Sequence, residues 1–446
     1  MKKFIKKSLC IVLSAAFALT CFTGCGKSSD KDKNGNTIVK MSIMNSVNEN
    51  PGWLAMIDAA NEVLKEQGEK IVIEADIIKT DSWDEYYTKI TSNMMGKIGG
   101  TIGRIAESHM PMMVNKNQLQ DLTDIKNELV ASGDYYADAF EGVAEKNGKY
   151  YGLPSGLQHM VLYYNKTIID EYNASHPTDK IAYPSGDWEN ASTFEEIADA
   201  AQKLSGNKKF GISAGPFLAY AGMYSKNSGG ENIFDAQGNC VIDSQPFYDV
   251  YNWFERMLIT DKSMPSTADT AVLDAMARFQ GGNIAMIIDG VWQIHDVCKY
   301  TQGEVGVAAI PVAAKGNSSY TTTFADRFWA ARTSTHPEAD KKAIKALMSK
   351  KAVTALAQKQ IGGLPVRQDC VSTYLDAIRE TKIGDYVDVI SGGLSKSINV
   401  PYTIYYNKVD QQINQKMSVW INGQMTTAEF VKFMDTTMKS GMAGKL

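Results

Sequence analysis

Cysteine is scarce in this chain, six in 446 residues, and three of the six (Cys10, Cys21 and Cys25) fall within the first 25. Cys240, Cys298 and Cys370 stand far apart, which excludes a disulfide framework or a zinc knuckle and reads as three buried free thiols. Proline is also sparse, at 12 residues, so extended proline-rich structure is excluded. Basic charge is not in excess, with 46 Lys and Arg against 50 Asp and Glu. Without the first 24 residues, which carry four lysines and no acid, the balance is 42 against 50, or −8. Nucleic-acid binding rests on neutralising phosphates, so a mildly acidic chain does not fit it. There is no GxxxxGK[ST], GxSxG, HExxH or CxxC. The glycine-rich stretch 96–103 (GKIGGTIG) follows a helical pattern, the reverse of the order that a dinucleotide-binding turn requires. The five histidines, 109, 159, 176, 295 and 336, lack ligand spacing, so neither a metal nor a cofactor is expected. A glycosidase needs only two carboxylates, which sequence alone does not exclude.

What is present is ordinary globular composition, 44% hydrophobic and 22% charged, in a length suited to two or three domains. The chain opens with MKKFIKK, an apolar run over 8–22 and Thr23-Gly24-Cys25. A basic head and a short apolar segment form a secretory signal over 1–24. The Thr-Gly-Cys ending resembles the bacterial lipobox, with Phe22 where leucine is usual; the resemblance implies that Cys25 is lipidated and becomes the mature N-terminus. Residues 26–36 (GKSSDKDKNGN) hold no hydrophobic side chain, so 25–36 reads as a flexible tether.

From residue 37 short β-rich runs alternate with helical ones. Residues 38–44 and 71–78 read as strands, 53–66 as an amphipathic helix and 83–95 as a second helix capped by Asp81-Ser82. Residues 102–106 read as a third strand. Later helices are expected over 193–204, with the capping box Thr193/Glu196, and over 245–258, 268–280, 337–359 and 426–442. This alternation predicts an α/β fold with mainly parallel sheets. Aromatics make up a tenth of the chain, and several stand in turns beside Gly, Pro or Asp: Trp53, Trp83, Phe217, Trp292, Phe324, Phe328 and Trp329. At the carboxyl ends of strands such rings suit a sugar, whose C–H faces lie between hydroxyls.

The order of motifs carries a resemblance over about 37–445. Gly148-Lys-Tyr-Tyr-Gly-Leu-Pro154 followed by Leu162-Tyr-Tyr-Asn-Lys166 resembles the "GxxYGxP … YYNx" passage of bacterial extracellular solute-binding proteins, the carbohydrate-type receptors of ABC importers. Residues 188–204 resemble their "TWEE" helix, with Phe194 where Trp often stands. Residues 278–292 (RFQGGNIAMIIDGVW) resemble "FxxGxAAMxxxGxW", and 305–311, 324–331, 338–348 and 363–366 follow in family order. Gly100-Thr101 and Glu107-Ser-His109 depart from the pattern.

The resemblance implies a periplasmic-binding-protein-like fold: two α/β lobes joined by three crossings, near 156–160, 318–324 and 366–370, with a ligand cleft between them. The first lobe would be 37–158 plus 322–366 and the second 159–321 plus 367–446. It implies capture without chemistry of a sugar or oligosaccharide, closure by hinge motion, and delivery to ABC permease subunits by a monomer. The location implied is the extracytoplasmic face of the cell membrane, reached through the lipid anchor alone. Carried over position by position, the ligand-binding set is Asn45, Trp53, Trp83, Glu107, Ser108, His109, Ser155, Phe217, Asp289, Trp292, Phe324, Asp326 and Arg327. Asp326 and Arg327 have an equal second reading as a hinge salt bridge. The alternatives are a receptor for a peptide or polyamine and a secreted carbohydrate-active enzyme.

Overall fold

A computed structural model describes residues 30–46, 49–80 and 82–446; the signal, Cys25 and Asp81 lie outside the described residues. Thirteen strands are placed among them. The first sheet holds β1 (Thr37–Met44), β2 (Ile71–Ile78), β3 (Ile102–Ile105), β6 (Leu153–Pro154) and β12 (Arg327–Ala330), in the order β2-β1-β3-β12-β6. β1 is parallel to β2 and β3, whereas β12 runs antiparallel to both β3 and β6. A small ribbon, β4 (Glu145–Lys146) with β5 (Lys149–Tyr150), lies beside it in sequence. The second, six-stranded sheet holds β7 (Gln158–Asn165), β8 (Phe210–Ser213), β9 (Ile284–Gly290), β10 (Val305–Ala308), β11 (Thr321–Phe324) and β13 (Ser397–Asn399). β8 is parallel to β9 and β11 to β13, but β7 is antiparallel to β9, β10 and β11. The pairing is therefore mixed and not mainly parallel as the alternation predicts, because β7 and β12 enter their sheets directly from the crossings without a helix before them.

Each sheet is covered by helices whose apolar stripes face it. Helix Asn50–Glu66 buries Trp53, Met56, Ile57, Ala60 and Leu64, the i, i+3, i+4 spacing of one face. Pro51 starts it where a missing N–H costs nothing. The capping box Thr193/Glu196 begins helix Phe194–Lys203, and a second, Thr426/Glu429, begins Thr427–Met442. Two runs expected as single helices are broken by their own caps. Asp274 accepts from the Ala277 N–H and divides 268–280 into Thr267–Val272 and Ala275–Gln280. Ser349 accepts from the Ala352 N–H and divides 337–359 into Pro337–Leu347 and Lys350–Ala357. In each case a side-chain oxygen bonds a free helix-start N–H and competes with helix continuation.

Residues 30–36 are not a loose tether. The Asp32 carboxylate accepts from the backbone N–H groups of Asn34 and Asn36, both at 2.8 Å, and Lys31 bridges to Thr37 at the start of β1. The chain leaves the first sheet after β6 and enters the second at β7. Between them Gly156 packs so closely on Gly362 that a Cβ there would lie 2.0 Å from the Gly362 carbonyl oxygen. The return was expected near 318–324, with residues from 322 in the first lobe. The β-branched run Thr321–Thr323 instead stays paired in the second sheet with β7 and β13, so the crossing is Ala325-Asp326. A third passage follows Arg367, whose backbone bridges to Tyr135. Among the described residues no helix is long and apolar enough to cross a membrane. Cys240, Cys298 and Cys370 are free thiols.

Candidate functional site

The carboxyl ends of β3, β8, β9 and β11 point into one cleft between the sheets. Its first wall comes from helix Trp83–Gly96 and the turn after β3. Ser82 caps that helix by accepting from the Glu85 N–H at 3.2 Å, which fixes Trp83 and Asp84 at its exposed start. Trp83 is half-buried, edge-on to Tyr86 at 5.6 Å, with the Arg104 guanidinium 5.1 Å from its ring. His109 is buried, its Nε2 2.9 Å from Asp84 Oδ1 and its Nδ1 3.1 Å from Ser108 Oγ. The bond to His109 holds the Asp84 carboxyl below its usual range.

The second wall carries most of the aromatic surface. Phe217, Tyr220, Tyr402 and Tyr406 line a cavity of about 270 Å³ together with Trp83, Asp84, Ser108, His109, Asn407, Asp410 and Asn414. Phe217 starts helix Leu218–Asn227 and is 45% exposed. It stands edge-on to Tyr220 at 5.9 Å. Tyr220 meets Phe324 at 6.0 Å, and Phe324 meets Trp292 at 5.7 Å, so four rings form a continuous row. Gly290 is required for the end of that row, since a Cβ there would lie 2.1 Å from the Trp292 ring. Asp289, near the end of β9, accepts from the Gly290 N–H at 2.7 Å and from Gln293 at 3.3 Å, and burial pushes its pKa to about 6. Asp410 is also pushed up to about 6, first by burial and then by the Asp84 charge; the Asn414 amide, donating at 2.9 Å, opposes this.

Of the expected site residues, Trp83, Ser108, His109 and Phe217 line the cavity, while Trp292 and Phe324 extend its aromatic row. Five others are committed elsewhere. Trp53 is 1% exposed, packed edge-on to Phe328 at 6.2 Å and covered by Arg104 at 4.5 Å, so it is core and offers no face to a ligand. Asp326 is buried and takes two bonds from Arg104, at 2.6 and 3.0 Å. Arg327 is buried and donates to Glu107 (2.7 Å), the Ala139 carbonyl (2.7 Å), Tyr150 (3.0 Å) and the Glu141 carbonyl (3.2 Å). Glu107 is spent on Arg327 and on the Ala325 N–H at 3.1 Å. Ser155 donates through both its N–H and its hydroxyl to the Asp326 carbonyl. These polar groups brace the crossings against the first sheet. Asn45 follows β1 and is exposed, its N–H bonded to the Ile78 carbonyl at 2.9 Å, and is not one of the residues lining the cavity.

Sequence reasoning missed Asp84, Tyr220, Tyr402, Tyr406, Asn407, Asp410 and Asn414. A signal existed for the last three. Helix Tyr406–Ile421 buries 406, 409, 413, 417 and 420, which leaves 407, 410 and 414 together on the neighbouring stripe. Among the described residues no group of three or more His, Cys, Asp or Glu side chains is placed to hold a metal ion.

Two α/β lobes, crossed by the chain more than once and enclosing a ring-lined cleft at strand ends, form the kind of concave site that takes a small solute. The chain belongs to the bacterial extracellular solute-binding protein family, whose sequence profile matches residues 55–379. An arabinooligosaccharide-binding protein of Halalkalibacterium halodurans is 23% identical over 164 residues, 36% of this chain; the chain spans about a third (34%) of that relative's length. An ABC substrate-binding protein from Listeria monocytogenes, solved in complex with cycloalternan, superposes with a TM-score of 0.77 at 20% identity, covering 92% of this chain and 99% of that one. Maltose-bound MalE3 of T. maritima superposes with a TM-score of 0.73 at 19% identity, covering 90% and 99%. The fold is therefore that of sugar-binding ABC receptors, and the family and its structural neighbours are binding proteins rather than enzymes.

Proposed function

We propose that this protein is a lipid-anchored receptor of an ABC importer, which captures a sugar or oligosaccharide between its lobes and presents it to a membrane permease. The observation that carries this reading is the row Phe217–Tyr220–Phe324–Trp292 set opposite Trp83, with Asn407, Asn414, Ser108 and two carboxylates between. Flat rings match the C–H faces of a pyranose, and mixed amides, hydroxyls and carboxylates match its alternating hydroxyls. A polyamine site would instead be dominated by acids. The mechanism is capture: closure brings the Trp83 wall to the Phe217 wall and withdraws the solute from water.

Thermal shift with a panel of neutral mono- and oligosaccharides, with spermidine as the cationic control, tests the reading. A sugar at a hundred times its Kd adds about 2.7 kcal/mol of stability. Stabilisation by spermidine alone would replace the sugar reading. One arrangement favours a second reading: Asp84 and Asp410 face each other from opposite lobes, with pKa values displaced in opposite directions, as in an acid–base pair. A receptor returns its oligosaccharide intact, so mass spectrometry after prolonged incubation is expected to find no cleavage. Cleavage abolished by Asp84→Asn would establish the enzyme.

Phe217→Ala is expected to weaken sugar binding by about 1–3 kcal/mol, roughly 5- to 150-fold, with little change in the apo melting temperature, because the ring is half in solvent. A large apo destabilisation would mark the ring as core instead. Cys25→Ala is expected to move the protein from the membrane to the soluble fraction while residues 37–446 stay folded. Unchanged membrane partitioning would remove the lipobox reading.

A further inference from the structure

A second cavity opens behind the cleft, inside the second lobe. Its volume is about 390 Å³, and it shares Phe217, Tyr220 and Asn414 with the cleft cavity. The chemistry changes across that shared border. The cleft combines its rings with carboxylates, amides and hydroxyls, whereas the annex wall is mainly apolar, from Leu258, Met264, Pro265, Ile287, Met417 and Ile421, with the hydroxyl side chains of Ser213, Ser266, Thr267, Thr270 and Ser418 among them. Leu258 belongs to a π-turn, Arg256–Thr260, that follows helix Gln245–Glu255, a local widening found often at functional sites. One carboxylate, Asp289, stands in the annex, where it disfavours an anionic occupant.

The outer wall is weakly anchored. Helix Thr267–Val272 buries none of its side chains, and its last residue, Val272, and the following Leu273 are 83% and 42% exposed. Its carboxyl end is held by the Arg278 guanidinium, which donates to the carbonyls of Asp269 (2.8 Å) and Leu273 (2.9 Å). An element with so little buried area opens at low cost, which gives the annex a path to solvent besides the cleft.

We propose that the annex is a subsite for the distal end of the ligand held in the cleft, and that it takes an uncharged apolar group, the aglycone of a glycoside. This rests on the sugar reading of the cleft. Phe217 stands at the junction, so a ligand filling both cavities has at least two units. The polar unit contacts Asp410 and Asn407, and the apolar unit lies against Leu258 and Ile421. Leu, Met, Ile and Pro side chains form the larger part of this wall, so an aryl group gains more from burial here than a methyl group does, while the few hydroxyls leave room for a linking oxygen.

The test uses matched methyl and phenyl glycosides of maltose, cellobiose and arabinobiose, titrated calorimetrically into the full chain and into two variants that fill the annex from its rim, Ala275→Trp and Ser418→Phe. Both residues line the annex and not the cleft, and Ser418 is exposed, so its variant keeps the fold even if the first does not. For at least one sugar the phenyl glycoside is expected to bind about tenfold or more tighter than its methyl partner. The gain should vanish in either filled variant, with methyl-glycoside affinity unchanged. Equal affinities within every binding pair, or a phenyl gain that survives both variants, overturns the annex while leaving the cleft reading standing. No binding by any glycoside overturns the sugar reading, and the annex assignment falls with it.

Discussion

Arg327→Met is expected to destabilise the protein by about 3–5 kcal/mol while leaving sugar affinity unchanged in the molecules that remain folded. The guanidinium is 2% exposed and donates to one carboxylate, one phenol and two backbone carbonyls. A methionine fills the volume but leaves the half-buried Glu107 carboxylate without its cation and two carbonyls without a donor, and an unpaired buried charge costs more than the pair contributed. Arg327→Lys keeps the charge but not the planar fork, so it should recover only part of the loss. Urea denaturation followed by tryptophan fluorescence measures the first quantity, and titration of native protein the second. A variant with wild-type stability and weakened sugar binding would return Arg327 to the ligand site.

Asp410→Asn is expected to stabilise the apo protein at pH 7–8 and to do little at pH 4. The folded-state pKa, about 6, lies above the ordinary value of 3.8, because burial and the nearby Asp84 charge both disfavour the anion. Between those two values the folded protein binds more protons than the unfolded chain, so stability falls as pH rises through about 6. Above that pH the ionised carboxylate carries the full penalty. For a wholly buried group a displacement of this size would be worth about 3 kcal/mol, and partial exposure of the side chain reduces the expected gain to about 1–2 kcal/mol. Asparagine removes the charge and keeps an oxygen for the Asn414 amide. The same change should weaken binding of a sugar hydroxyl that donates to Asp410 by about 1 kcal/mol, since a charged acceptor is the stronger one. Melting temperatures at pH 4, 6 and 8 check the first part, and a stabilisation constant across that range would refute it. Asp84→Asn provides the control: it removes the neighbouring charge and should lower the Asp410 pKa, which shrinks the gain from a second substitution at 410.

The alternation that forms β1, β2 and the helix after each was written locally, and so were the capping boxes at Thr193 and Thr426, because period and cap chemistry are properties of a few adjacent residues. Helix Asn50–Glu66 shows how far that goes. Its own spacing, 53, 56, 57, 60 and 64, already assigned Trp53 to the core stripe, yet a position in the turn after β1 made it look like a ligand platform. Phe217 and Trp53 stand in similar Pro- and Gly-bounded contexts. They differ only because the helix that follows Phe217 begins at the cleft and leaves the ring outside, whereas Trp53 lies within a helix laid along the first sheet.

Sequence by itself determined the class of fold, the motif order that marks the family, and most element starts. Tertiary structure decided which polar residues were free to meet a solute. Asp326 and Arg327 were equally suited to a hinge pair and to sugar hydroxyls, until β12 paired antiparallel to β3 and β6 and drew both side chains into the first sheet's interior, beside Arg104 and Glu107. Asp84 and Asp410 lie in different lobes and far apart in the chain, with nothing in either neighbourhood to mark them as partners. Their charges meet only because the crossings bring the start of one helix opposite the flank of another, and an interaction set by distance through space has no trace in the local sequence.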